Sequence, residues 1–261
     1  TTCWENKEQI LQYMKNFQPK NKEIKAIRVL LHGPVGAGKS SFINSVNNIF
    51  QGRMTHEALA SFKNCEKTFT SKVKNFYPFV FTDIVGLEVK DGEVSVDDIK
   101  LALKGHVKDD YKFNPKSSLS DGDPDYISFP SINDRVHVLV CIYDANVLQI
   151  MPTILQNMKE IRKAASDLGI PQLAILTHID AACGEIERDL RNVYKSKHLK
   201  KKMKDFESSV EIPLNCTLPV KNYSYEIEMD SDVDALILDA LKLIIDFGDD
   251  YADRASSLIK L

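Results

Sequence analysis

The stretch Leu30–Phe42, LLHGPVGAGKSSF, decides how the rest of the chain is read. It begins inside the run IRVLLHG (27–33), whose unbroken hydrophobicity is that of a buried strand. After it, Phe42, Ile43, Val46 and Phe50 fall on one face of a helix. Between the two, glycines at 33, 36 and 38 suit neither a strand nor a helix interior. They suit a backbone that must approach something closely. Gly33-x-x-x-x-Gly38-Lys39-Ser40 matches the phosphate-loop pattern and sits where that pattern operates, at a strand-to-helix junction. Glycines let successive N–H groups converge on phosphate oxygens, and the helix that follows points its positive end at the same anion. Gly33, Pro34, Val35, Gly36, Ala37, Gly38, Lys39, Ser40 and Ser41 are the expected cradle for a triphosphate. Lys39 would reach the β- and γ-phosphates and the Ser40 hydroxyl would ligate Mg²⁺, which makes both the first catalytic candidates.

Outward from this loop, apolar strands alternate with helical patterns. FVFTD (Phe79–Asp83), VHVLVCIYDA (Val136–Ala145) and QLAILTHID (172–180) read as strands, with a weak strand around Thr68–Val73. Helical spacing is seen in Glu5–Phe17, roughly Pro152–Leu168 and Val233–Phe247, and helix is also expected over Asp97–Leu103. The expectation is α/β: a three-layer P-loop NTPase, GTPase-like, with a mostly parallel central sheet and helices on both faces. Residues 1–24 read as an N-terminal helix and linker and 25–261 as the main domain. An insertion around 104–135, rich in polar residues and prolines, is expected to hold short helices or to be mobile.

The 261 residues are 43% hydrophobic, enough for a sizeable core, and a net charge of −3 argues against a nucleic-acid binder. Five scattered cysteines fit reduced thiols, and neither they nor the six histidines make a zinc spacing. With no secretory signal and no apolar run of membrane length, a cytoplasmic protein is expected. The chain opens at Thr1 rather than Met, which leaves room for upstream residues.

Two more strand ends carry chemistry. FVFTDIVG ends in Asp83-x-x-Gly86, where Asp83 would hold Mg²⁺ through water and the Gly86 N–H would meet the γ-phosphate. AILTHID ends in Thr177-His178-Ile179-Asp180, which resembles the guanine-reading Asn/Thr-Lys-x-Asp motif of the GTPase superfamily. Guanine offers N1–H and N2–H₂ side by side, and one carboxylate accepts both; adenine has no such pair. His178 replaces the usual lysine, whose stem covers one face of the base, and an imidazole can stack there instead. In PVKNYS (Pro219–Ser224), Lys221 or Asn222 would be the last base contact. An ordinary strand-to-helix turn capped by Asp180 is the plainer alternative.

The segments GPVGAGKSSFINSV, FQGRMTHEAL, YKFNP, INDRVH, LTHID and NYSYE, in that order, resemble the interferon-induced protein 44 family. The resemblance covers nearly all of residues 25–247. It implies a domain that binds GTP or GDP with Mg²⁺, in a cytoplasmic, interferon-inducible protein linked to antiviral defence. In small GTPases a glutamine after Asp-x-x-Gly orients the attacking water. Here Leu87 stands there, followed by Glu88, a weak substitute, so slow hydrolysis is expected. The threonine that closes over γ-phosphate and metal would be Thr68 or Thr70. A homodimer across the nucleotide face is a further expectation, because related GTPases lacking the glutamine pair that way. The rival readings are an interaction scaffold without hydrolysis and an ATPase sharing only the phosphate loop. Lys195–Lys204 is read as a solvated helix face rather than a membrane or nucleic-acid contact. His32 and His56 are each expected to satisfy a local hydrogen bond.

Overall fold

The computed structural model describes residues 4–55, 69–71, 77–83, 87, 95–109, 111, 118–147 and 149–259. One sheet holds β1 (Ile27–His32), β2 (Phe69–Ser71), β3 (Phe79–Asp83), β4 (Val138–Asp144), β5 (Gln172–Thr177) and β6 (Thr217–Pro219), in the spatial order β2-β3-β1-β4-β5-β6. All neighbours are parallel except β2, which runs antiparallel to β3 at one edge. The connecting helices are α2 (Lys39–Gln51), α3 (Val96–Lys104), α4 (Pro152–Asp167), α5 (Ile179–Ala182), α6 (Gly184–Arg188) and α7 (Lys197–Val210). α1 (Lys7–Lys15) precedes the sheet and α8 (Ser231–Ile259) follows it.

Alternation along the strands sorts the core into two layers. Val138, Val140 and Ile142 of β4 join Phe42 and Val46 of α2 and Ile237, Leu241 and Ile244 of α8. Leu139, Cys141 and Tyr143 join Ile99 and Leu103 of α3, Met158 and Ile161 of α4, and Leu199 and Phe206 of α7. β4 has no exposed position between Val138 and Tyr143, because neither face meets water. α1 docks on the first layer through Ile10 and Met14. Its Tyr13 hydroxyl donates to Asp246 Oδ1 at 2.8 Å.

Two expectations need revising. Residues 105–135 carry no short helix among the described residues. Polar bridges hold this segment instead: Leu119 N–H to Asp98 Oδ1 at 2.9 Å, and Arg28 to both oxygens of Asp109 at 2.8 and 3.3 Å. His137 is fixed beside them, Nδ1 accepting from Arg28 N–H at 3.0 Å and Nε2 facing Ile132 O at 2.9 Å. Burial pushes its imidazole down to about 4, so the ring is neutral and suits this pairing.

The second revision concerns the last helix, whose apolar pattern runs out at Phe247 while α8 continues to Ile259. The continuation is anchored by charge, with Lys20 N–H donating to Asp249 Oδ1 at 3.0 Å and the Lys20 ammonium bonding Asp250. Gly248 lets the helix lie on the sheet. A Cβ there would come within 2.6 Å of Ile27 Cγ2 and 3.2 Å of Val138 Cγ1. Gly248→Val should therefore destabilise the protein by about 2 kcal/mol, overpacking outweighing the gain in helix propensity. Urea unfolding checks this, and an unchanged midpoint would contradict the packing.

Candidate functional site

The site is built at the carboxyl edge of the sheet, where ligands gather in folds of this kind. Residues 33–38 leave β1 and turn into α2. Gly33 has φ +146°, and a Cβ on it would lie 2.0 Å from Ile142 O. Gly38 has φ +92°, and its Cβ would lie 2.9 Å from Asn222 Nδ2 and 3.3 Å from Thr177 Cγ2. Both positions demand glycine for conformation and for space. No side chain caps α2 at Gly38, so its first-turn N–H groups face the loop without a side-chain acceptor at the cap.

Lys39 is buried, and its ammonium donates to Gly33 O at 3.2 Å and Pro34 O at 3.0 Å. The cation is held across the mouth of the loop. The Ser40 hydroxyl donates to Asp83 Oδ2, at the end of β3. Asp83 Oδ1 is buried and has no hydrogen-bond partner among the described residues. Burial pushes this carboxyl up, opposed by the charge of Lys39 and the bond from Ser40.

The opposite wall comes from β5 and the loop after β6. The Thr177 hydroxyl donates to Ala37 O at 2.7 Å and lies 3.1 Å from Tyr143 O. Asn222 Nδ2 donates to Gly38 O at 3.1 Å, and its buried Oδ1 has no partner among the described residues. Tyr223 N–H donates to Ser45 Oγ of α2 at 3.0 Å. Asp180 Oδ2 lies 3.5 Å from Lys221 Nζ, which also meets Glu226 Oε1 at 3.3 Å. His178 Nδ1 lies 3.3 Å from Asp144 Oδ2.

Residues 33–41, Asp83, Thr177, His178, Asp180, Lys221 and Asn222 thus come to one edge. Gly86, Glu88, Thr68 and His56 lie outside the described residues, and of Thr70 only the backbone is described, paired with Thr82. Leu87 is buried in the second layer, and its N–H donates to Gly33 O at 3.1 Å. His32 corrects its expectation. Neither ring nitrogen has a partner among the described residues, and burial, aided by the charges of Lys39 and Arg162, pushes the imidazole down to about 3. Sequence reasoning missed Asp144 and Asn146, although Asp144 ends its strand just as Asp83 ends β3. On α7, Leu199, Phe206 and Val210 turn inward while Lys197, Lys200, Lys201 and Lys204 are exposed.

Thr177→Val should cost about 1–3 kcal/mol, because the buried Ala37 carbonyl loses its donor, whereas Thr177→Ser should recover most of that. Thermal or urea unfolding of the pair checks it, and equal stability of both variants would contradict the tether.

No family model matches the chain. Interferon-induced protein 44 of Pan troglodytes and that of Homo sapiens are each 33% identical to it over 258 residues, covering 95% of this chain and 58% of theirs. The Mus musculus protein is 32% identical over 253 residues, 94% of this chain and 60% of its own. The chain therefore spans somewhat under two thirds of the length of the curated relatives it matches. Among solved structures, a dimerization-deficient mutant of Toc33 from Arabidopsis thaliana is similar with a TM-score of 0.53 at 17% identity, over 94% of this chain and 91% of that one. Toc33 in complex with GDP and Mg²⁺ gives 0.51 with the same coverage. Identity this low carries the fold alone. The chain is a homologue of interferon-induced protein 44 over nearly all its length, built on the α/β fold of the P-loop GTPases.

Proposed function

We propose that this chain binds guanine nucleotide with Mg²⁺ and hydrolyses GTP slowly. One observation carries the reading: Thr177 and Asn222, from the two base-reading segments, hydrogen-bond the phosphate-loop carbonyls of Ala37 and Gly38. A chance glycine turn has no reason to be tied to both.

The residues fit the ligand. Ser40 Oγ and the orphaned Asp83 Oδ1 are hard oxygen donors of the kind Mg²⁺ takes. Bound there, the ion would neutralise charge on the phosphate oxygens. Lys39 supplies the fixed cation beside the loop amides. Asp180 accepts from guanine N1–H and N2–H₂, and Lys221 orients its carboxylate. Gly86, with Thr68 or Thr70, would complete the γ-phosphate side.

Leu87 sets the rate. Its side chain is packed in the core and its N–H is spent on Gly33, so nothing at this position orients water. Glu88 or a group from a partner would have to do so. The same observation favours a second reading, a nucleotide-bound scaffold without hydrolysis. Toc33, whose mutant is dimerization-deficient, motivates a homodimer across the nucleotide face. The relatives' name supports an interferon-induced protein, and from that we infer a part in innate antiviral defence in a cytoplasmic setting. No helix among the described residues is long and apolar enough to cross a membrane.

Asp180→Ala should weaken GTP binding by about 10- to 100-fold, the loss of charge-assisted hydrogen bonds, with the melting temperature unchanged. Unchanged GTP affinity would remove Asp180 as the base reader. Phosphate release no faster than in Lys39→Ala would put the scaffold reading in first place.

A further inference from the structure

The end of β4 carries a pair that neither the phosphate loop nor the base carboxylate uses. Asp144 is in register with Thr177 of β5, which brings its side chain to the first turn of the base-reading segment. Asp144 Oδ2 lies 3.3 Å from His178 Nδ1. Its Oδ1 accepts from Asn146 N–H at 2.7 Å and Asn146 Nδ2 at 3.0 Å. That same amide lies 3.3 Å from His178 O, closing a ring between strand end and turn. His178 itself has φ 52° and ψ 34°, a left-handed conformation that costs about 1–3 kcal/mol outside glycine and persists only when its surroundings impose it. The turn is built to put this ring here.

The groups facing the ring are Asp144 from β4 and Asp180 from α5, with Lys221 and Glu226 behind Asp180; the neighbouring Thr177 Oγ1, at 3.1 Å, is neutral. The bond to Asp144 raises the affinity of the imidazole for its proton above the usual 6.5, burial opposing and the charges of both aspartates adding. Burial pushes Asp144 up, but the bonds from His178 and Asn146 outweigh it and leave the carboxyl below its usual range. The two shifts agree on an imidazolium–carboxylate pair.

We propose that Asp144 is a positioning residue for base recognition: it holds His178 as an imidazolium in the place where the superfamily pattern carries a lysine. The inference rests on the guanine-nucleotide reading and deepens it. A lysine keeps its charge throughout the physiological range, whereas this cation is lost as pH rises through the raised value. An anionic nucleotide beside the ring raises that value further, so linkage requires affinity to fall as pH rises, tenfold for each unit by which binding shifts the ring.

The test has two readouts. In nucleotide-free protein, the ring resonance of His178 is identified among the six histidines by its loss in His178→Lys. Its NMR titration should have a midpoint above 6.5, and Asp144→Asn should lower it. An unmoved midpoint in a folded variant would overturn the positioning role. Calorimetric affinity for GTP and Mg²⁺ should fall about three- to tenfold more between about pH 6 and about pH 9 in the wild type than in His178→Lys, which carries the ionisation of the phosphates alone. Equal slopes would overturn the role of the imidazolium, and this comparison needs no Asp144 variant. Absence of GTP binding at every pH would overturn the guanine reading itself. That failure is told apart because the ring titration still shifts in Asp144→Asn.

Discussion

The hydrogen bond from the buried Thr177 hydroxyl to the carbonyl of Ala37 is the interaction on which the site depends. It lies where the phosphate loop, β4 and β5 meet, away from water. Leaving the Ala37 carbonyl unmet there would be costly, so the loop is held at a fixed height above the sheet. Gly33 and Gly38 permit that height because a Cβ on either would strike Ile142 O or the Asn222 amide. The other contacts follow from it: Asn222 to Gly38, Tyr223 to Ser45, and Leu87 to Gly33. The loop and the base-reading turns form one rigid wall rather than three neighbouring loops.

What was legible in the sequence is what backbone chemistry makes obligatory. The glycines of the phosphate loop announce positive φ and close approach, and the strands announce burial on both faces by their lack of polar positions. β6 was not legible, since Thr217–Pro219 is too short to show a period and ends in proline. The far half of α8 was hidden because Gly248-Asp249-Asp250 looks like an ending, although Gly248 serves a helix–sheet contact and the aspartates meet Lys20. The Asp144–His178 pair was hidden for another reason. Parallel pairing of β4 and β5 makes neighbours of residues far apart in the chain, and no local pattern records that.

Under the proposed function, this wall bears on base specificity, and Leu87 gives no help to hydrolysis. Leu87 is committed to the core, so its side chain anchors the start of the segment after Asp83 instead of presenting a polar group to water. This division suits a protein whose nucleotide state changes slowly and is read by a partner, and it leaves room for a second molecule to supply the missing group. His32, whose ring nitrogens have no partner among the described residues, is neutral beside Lys39 and so adds no second cation there.

The most direct measurement is calorimetric titration of nucleotide-free protein with GTP and Mg²⁺, repeated in excess ATP. Saturable binding that survives ATP is the predicted result, since only guanine offers the donor pair that the proposal assigns to Asp180. No heat from GTP, with no thermal stabilisation by it, would contradict the account at its centre.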